Sequence, residues 1–185
     1  MKKGKIIIIS GPGGVGKGTI IKALVSRNDN YKFAISCTTR DKRENEIEGY
    51  DYFFIDNDEF FKKINNDEFV EYNEFLNDVY YGTLKSEIER IINSGNNIIL
   101  DINIDGKENV KSIYPEAMSF FFMAPSFEEL ERRLRGRGKD SEDIIKKRMV
   151  IAKEEVKYKD TYDYIILNDD LDTAISEIED IINNS

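Results

Sequence analysis

A chain of 185 residues, 40% of them hydrophobic, can build one core fold and carry small insertions on it. Its formal charge of -9 excludes a broad cationic surface for nucleic acid or anionic membrane, so any anion must be held in a local pocket. With no histidine, every Ser-His, Cys-His and His-ligated metal scheme is excluded, and the single cysteine, Cys37, cannot make an internal disulfide, which suits a reducing compartment.

Residues 5–10 form a continuous apolar run, the pattern of a central parallel strand buried on both faces. The run is too short for a membrane span or a signal segment, which predicts a cytoplasmic protein. It empties into GPGGVGKGT at 11–19, where Gly11, Gly16 and Lys17 meet the pattern G-x-x-x-x-G-K. Across Gly11, Pro12, Gly13, Gly14, Val15 and Gly16 such a loop turns backbone N–H groups inward. The helix that follows adds partial positive charge and Lys17 a full one, making a phosphate cradle. Gly18 stands where many such loops put a magnesium-ligating hydroxyl, and Thr19 follows it.

Helical spacing of Ile20, Ile21, Leu24 and Val25 predicts a helix over 17–27. A short strand is expected at 33–36. The polar stretch after it holds Arg40, Lys42 and Arg43, which composition alone reads as a solvated loop. Alternating Tyr50, Tyr52 and Phe54 suggest a half-buried strand, and Asp56 to Glu59 a capping box opening a short helix. Residues 69–75 read as a strand with Val70 and Tyr72 on one face and Glu71 and Asn73 on the other. Helix is expected over 84–93, a buried strand at 97–101 ending in Asp101, a short helix at 105–112 and a strand at 117–123. Ser126 caps a helix running into RLRGRG. A long helix at 141–159, a strand at 164–167 and a final amphipathic helix complete the chain. Alternating strands and helices give an α/β fold with a parallel sheet between helices, and ligands of such sheets bind at the carboxyl ends of the strands, which puts Asp101 near Lys17. Arg132, Arg133, Arg135, Arg137, Lys146, Lys147 and Arg148 form a basic cluster in an acidic chain. A glycine-flanked arginine between two helices suits a movable lid.

GPGGVGKGT, SCTTRDKR, GYDYFF, FVEY, YYGT, ILDIN, RLRGRG and NDDLD fall in the order and approximate spacing of one family, and over essentially its whole length the chain resembles the guanylate kinases. The resemblance implies a phosphate-loop nucleotide-kinase core with a five-stranded parallel sheet over 1–33, 84–125 and 150–185. It also implies a strand-rich GMP-binding insertion at 34–83 and a helical lid at 126–149, all within one domain. The implied reaction is direct in-line transfer of the γ-phosphoryl of ATP to GMP, with dGMP as a further acceptor. Residues 11–19 and Asn168 would bind ATP, and Lys17, Arg137, Arg148 and Arg133 would be catalytic. Ser36, Glu71, Thr83 and Asp101 would bind the guanosine end of GMP, and Arg40, Arg43, Tyr52 and Tyr81 its phosphate. Guanine's edge, with two donors beside the O6 acceptor, suits a carboxylate and hydroxyls together, whereas adenine would offer Glu71 an unprotonated N1. Mg²⁺ is expected to arrive with ATP and to have no direct protein ligand, only water-mediated contact from Thr19 or Asp101. Nucleic acid and membrane are not expected partners, and the chain is expected to be a monomer or a homodimer.

Several positions depart from the family pattern. Gly13 stands in place of a usual Ser, and Asn103 in place of the second acid of a D-x-D. Asp105 and Cys37 replace other common residues, and one additional residue lies near Asp78. Two rival readings are a catalytically dead interaction scaffold, which would have lost the intact loop, and a phosphate-loop kinase for another small acceptor, against which Glu71 and Thr83 argue.

Overall fold

The computed structural model describes residues 3–76, 78–136, 138 and 140–185. Its elements run β1 (Ile6–Ser10), α1 (Lys17–Arg27), β2 (Tyr31–Phe33), β3 (Cys37–Thr38), β4 (Phe53–Phe54), α2 (Asn57–Asn65), β5 (Phe69–Leu76) and β6 (Val79–Leu84). They continue with α3 (Lys85–Asn93), β7 (Asn97–Asp101), α4 (Ile104–Ile113), β8 (Met118–Met123), α5 (Phe127–Gly136), α6 (Glu142–Val156), β9 (Tyr164–Leu167) and α7 (Leu171–Asn184). The fold is α/β: five strands make a parallel, helix-flanked sheet in the order β2-β7-β1-β8-β9, and four make a second sheet in the order β4-β3-β6-β5. By packing, the chain divides into two compact units. One contains Met1–Ile6, Asn30–Leu100 and Asp105–Ala117, the other Ile7–Asp29, Asp101–Ile104 and Met118–Ser185.

In the first unit, β2 pairs parallel with β7, and the four-stranded sheet grows around β6, which pairs antiparallel with both β3 and β5. Its small core gathers Cys37, Phe60 and Phe69, with Phe53, Ile55, Ile64, Tyr80 and Leu84 packed against them. Phe60 arrives on α2, whose start is the expected cap: the Asp56 side chain accepts the backbone N–H of Glu59 at 2.8 Å.

Three local expectations for this unit fail for identifiable reasons. The strand expected at 33–36 divides, because β2 ends at Phe33 and β3 starts at Cys37 in the other sheet. The aromatic alternation at Tyr50 yields a turn. Gly49 takes a φ of 71° and the Asp51 carboxylate accepts the Ile47 N–H at 2.7 Å, which leaves Tyr50 exposed and confines β4 to two residues. In β5 a register shift between Phe69 and Glu71 interrupts the two-residue alternation. Phe69, Val70 and Glu71 are all buried and Tyr72 is 50% exposed. A second shift, between Glu74 and Leu76, precedes Asp78, whose φ is 60°.

In the second unit, β8 lies between β1 and β9, paired parallel with each. Ile6, Ile7, Ile8 and Ile9 are all at most 3% exposed, as their uninterrupted apolarity requires. Of the expected box at Ser126 the first half forms, its hydroxyl accepting the Glu129 N–H at 3.1 Å, while the Glu129 carboxylate turns to Arg132 and Arg133. The long helix ends at Val156, followed by a 3-10 turn over Lys159–Thr161. No helix among the described residues is long and apolar enough to cross a membrane.

Candidate active site

The glycine loop connects β1 to α1, and its shape is enforced by what surrounds it. Gly11 has a φ of 140°, and a Cβ there would lie 2.4 Å from the Phe122 carbonyl oxygen of β8. Gly16 has a φ of 98°, and its absent side chain leaves room for Asn168, whose Nδ2 would lie 2.4 Å from a Cβ. Asn168 uses that space: buried, it donates Nδ2 to the Val15 carbonyl at 2.7 Å. Its own carbonyl accepts Arg133 Nη1 at 2.9 Å, and Arg133 Nε is held by Glu129 at 2.7 Å. Asn168 thus braces the loop from below, and much of the Arg133 guanidinium is engaged in holding that brace.

Lys17 Nζ donates to the carbonyls of Gly11 at 2.5 Å and Pro12 at 3.3 Å. The segment after β7 is pinned to the end of β1, with Ile102 N–H donating to Ile9 and Ser10 Oγ donating to the Ile102 carbonyl at 2.6 Å. This holds Asp101 at a cleft of ≈ 580 Å³ that Gly11, Gly13 and Lys17 also line. Asp101 stays accessible to water, yet crowding by the cleft walls pushes its carboxyl above the ordinary range while Lys17 pulls it down. Glu155 of α6 lines the same cleft, is likewise pushed up by desolvation against the pull of Lys17, and keeps its buried Oε2 without a hydrogen bond to any described residue.

Arg148 stands two helical turns before Glu155, on the same stripe of α6. Its Nη1 would lie 3.2 Å from a Cβ at Gly13, and its Nε pairs with Asp140 at 3.0 Å, so the family's Ser at 13 would press against this guanidinium. Around Gly18 a Cβ would meet nothing within 4 Å, and Thr19 is exposed. A hard dication takes oxygen ligands, which nucleotide phosphates and water would supply, and the Asp101 carboxylate beside the loop could accept from such waters, so the residues present fit Mg²⁺ carried on nucleotide phosphates. Arg137 lies outside the described residues.

The expected acceptor residues fall in the first unit, apart from Asp101. Glu71 of β5 is opposite Thr83 of β6, and Cys37 of β3 is opposite Gly82, so Ser36, one residue earlier, continues the line through Thr83 and Glu71. Glu71 is 8% exposed and Thr83 1%. Burial pushes the Glu71 carboxyl up, while bonds from the Thr83 hydroxyl and backbone N–H draw it down. Tyr81 lies two residues before Thr83, on the same face and about 7 Å along the strand. Its hydroxyl accepts Arg40 Nε at 3.2 Å, and its ring meets that of Tyr52 edge-on at 5.8 Å. Arg43 is exposed beside them in sequence. Along β6, Thr83 therefore meets the Glu71 carboxylate of β5, and Tyr81, two residues earlier, meets the Arg40 guanidinium.

Two acidic residues go unnoticed in the sequence. Glu46 pairs with Arg40 at 2.5 Å, and the visible sign is its place three residues after Arg43 in R-x-x-R-x-x-E. Glu155 could have been found from its seven-residue spacing to Arg148.

A family model described as guanylate kinase matches residues 3–185. The chain is 47% identical over 182 residues to a guanylate kinase of Carboxydothermus hydrogenoformans, covering 98% of this chain and 89% of that one. It is 42% identical over 184 residues to one of Clostridioides difficile, covering 100% and 89%. Among solved structures it resembles guanylate kinase from Anaplasma phagocytophilum, with a TM-score of 0.75 and 29% identity, over 100% of this chain and 87% of that one.

Proposed function

The chain belongs to the guanylate kinase family and is an ATP:GMP phosphotransferase, and we propose that its residues divide the reaction between a donor site in the second unit and an acceptor site in the first. Residues 11–19 hold the ATP phosphates through inward N–H groups and Lys17. Asn168 acts on ATP by bracing the loop. Residues 34–83 form the acceptor region, in which Glu71, Thr83 and Ser36 read guanine and Arg40, Arg43, Tyr52 and Tyr81 take its phosphate. The observation that carries this reading is the nearly buried Glu71 carboxylate fixed opposite Thr83. A carboxylate withdrawn from water at that cost calls for a ligand with two adjacent donors, which guanine has and adenine lacks.

The GMP phosphate is itself the nucleophile. With a second pKa of about 6 it is largely dianionic at neutral pH, so no general base is needed. Positioning and charge stabilisation do the work. Lys17, Arg148 and Arg137 face the charge spread over the transferring group, with residues 126–149 as the lid that carries the arginines and Arg133 at its base. Mg²⁺ bound with ATP supplies neutralisation of the donor phosphates, and Asp101 holds its waters. The setting is cytoplasmic.

A coupled assay of ADP release over GMP, dGMP, AMP, CMP and UMP tests the assignment. Turnover is expected with GMP and dGMP, and Glu71→Gln is expected to lower kcat/KM for GMP by about 10²-fold or more. Comparable turnover of AMP by the unaltered protein would sink the acceptor assignment.

A further inference from the structure

A bidentate ion pair lies within the expected acceptor-phosphate residues themselves. Glu46 meets Arg40 through both oxygens, Nη1 to Oε2 at 2.7 Å and Nη2 to Oε1 at 2.5 Å. Nη1 also donates to the Asp41 carbonyl at 2.9 Å, and Nε to the Tyr81 hydroxyl at 3.2 Å. A guanidinium has five N–H groups; these bonds engage four, and the Tyr52 hydroxyl also bonds to the guanidinium. Oε2 of Glu46 further accepts the backbone N–H of Arg43 at 2.9 Å. The paired side chains are only 14% and 16% exposed, with the rings of Tyr52 and Phe54 at 5.2 and 5.6 Å from the guanidinium carbon.

A carboxylate so placed could serve in two opposite ways. As a stand-in for phosphate it would leave Arg40 when the dianion arrives. As a fixed counter-charge it would stay and hold the guanidinium in one orientation. Displacement would break a bidentate pair and a backbone bond, and would leave an ionised carboxylate beside a dianion. Protonation cannot relieve that conflict near neutral pH, because the Arg40 guanidinium, with the Arg43 N–H, holds the Glu46 carboxyl down at about 2. The carbonyl of Asp41 and the hydroxyl of Tyr81 hold the other edges of Arg40, which also favours a fixed arrangement.

We propose that Glu46 is a positioning residue for the acceptor phosphate: it locks the Arg40 guanidinium in one orientation among Tyr52, Tyr81 and the Asp41 carbonyl and ties the Arg43 backbone into the same loop. This rests on Arg40, Arg43, Tyr52 and Tyr81 being the phosphate end of the acceptor site. Electrostatics alone predicts the reverse effect, since removing a negative charge from beside an anion site tightens anion binding. The sign of the Glu46→Gln effect therefore decides.

Calorimetric titration of the full chain with GMP and with guanosine makes the test. Glu46→Gln is expected to weaken GMP by about tenfold or more, the scale of one charge-assisted hydrogen bond. KM for GMP rises in step, kcat changes much less, and guanosine, which has no phosphate, binds as before. Glu46→Asp keeps the charge on a shorter stem and recovers part of the loss. GMP binding that is unchanged or tighter in Glu46→Gln overturns the proposal, as does an equal loss for GMP and guanosine, which would mark general loosening. If the unaltered protein binds guanosine as tightly as GMP, the phosphate-end assignment itself falls, and the proposal with it.

Discussion

Glu71 is a carboxylate kept from water inside a strand pair, and that placement carries a pH dependence of known sign. Its raised pKa means that the folded protein takes up the proton at a higher pH than an unfolded chain would. Guanine recognition needs the ionised form. Guanosine affinity is therefore expected to fall, as pH is lowered, already above the ordinary glutamate value of about 4.3. Guanosine is the right probe because it lacks the phosphate that titrates near 6. Thr83→Val removes a hydroxyl that draws the carboxyl down, so the acidic limb moves to higher pH, and Glu71→Gln abolishes it. The same shift has a stability cost. Ionising Glu71 is unfavourable in the fold, so the stabilising contribution of its protonated form is lost as pH rises through the raised pKa. Glu71→Gln should unfold at neutral pH at the same denaturant concentration as the unaltered chain or a higher one, while losing guanine. At Asn168 the expectation runs the other way. Its Nδ2 is a buried donor to the Val15 carbonyl, and Asn168→Ala strands that acceptor at about 1–3 kcal/mol. Since the loop loses its brace, Kd for ATP should rise with little change for GMP, which separate titrations would show.

Among the elements, helix starts and the buried strands of the sheet were legible because their causes lie within a few residues. The hydroxyl of Ser126 and the carboxylate of Asp56 cap the helices they precede in sequence. Asp56→Ala is expected to cost about 1 kcal/mol, read as a lower denaturation midpoint at unchanged slope, because α2 delivers Phe60 to the core of the first unit. Strands β3, β4 and β5 were less legible. Their alternation is broken by a turn at Gly49 and a register shift at Val70, and neither leaves a mark in hydrophobic periodicity. The shift bears on the proposed acceptor site, because it carries Glu71 inward where strict alternation would group it with exposed Asn73.

At the scale of the whole molecule, the proposed donor and acceptor residues, Asp101 apart, belong to separate compact units, so their ligands are expected to stabilise the chain through separable sites. A ligand at a hundredfold excess over its Kd adds about 2.7 kcal/mol, which in a chain of this size raises Tm by about 5–10 °C. Lys17→Met is expected to lose the rise due to ATP and keep that due to GMP, and Glu71→Gln the reverse. Loss of both in either variant would count against separate sites.

From residues alone came the phosphate loop between β1 and α1, the parallel α/β order, the exclusion of histidine chemistry and, through ordered motifs, the family. These depend on spacing along the chain, on residue types and on composition. The tertiary structure alone showed that Arg40 is engaged by Glu46, that Asn168 supports the loop 153 residues before it, and that Glu71 is buried. Hydrogen bonds of that kind join groups whose meeting depends on strand register and loop path, and the spacing of a guanidinium or amide in sequence does not by itself decide which partner it takes.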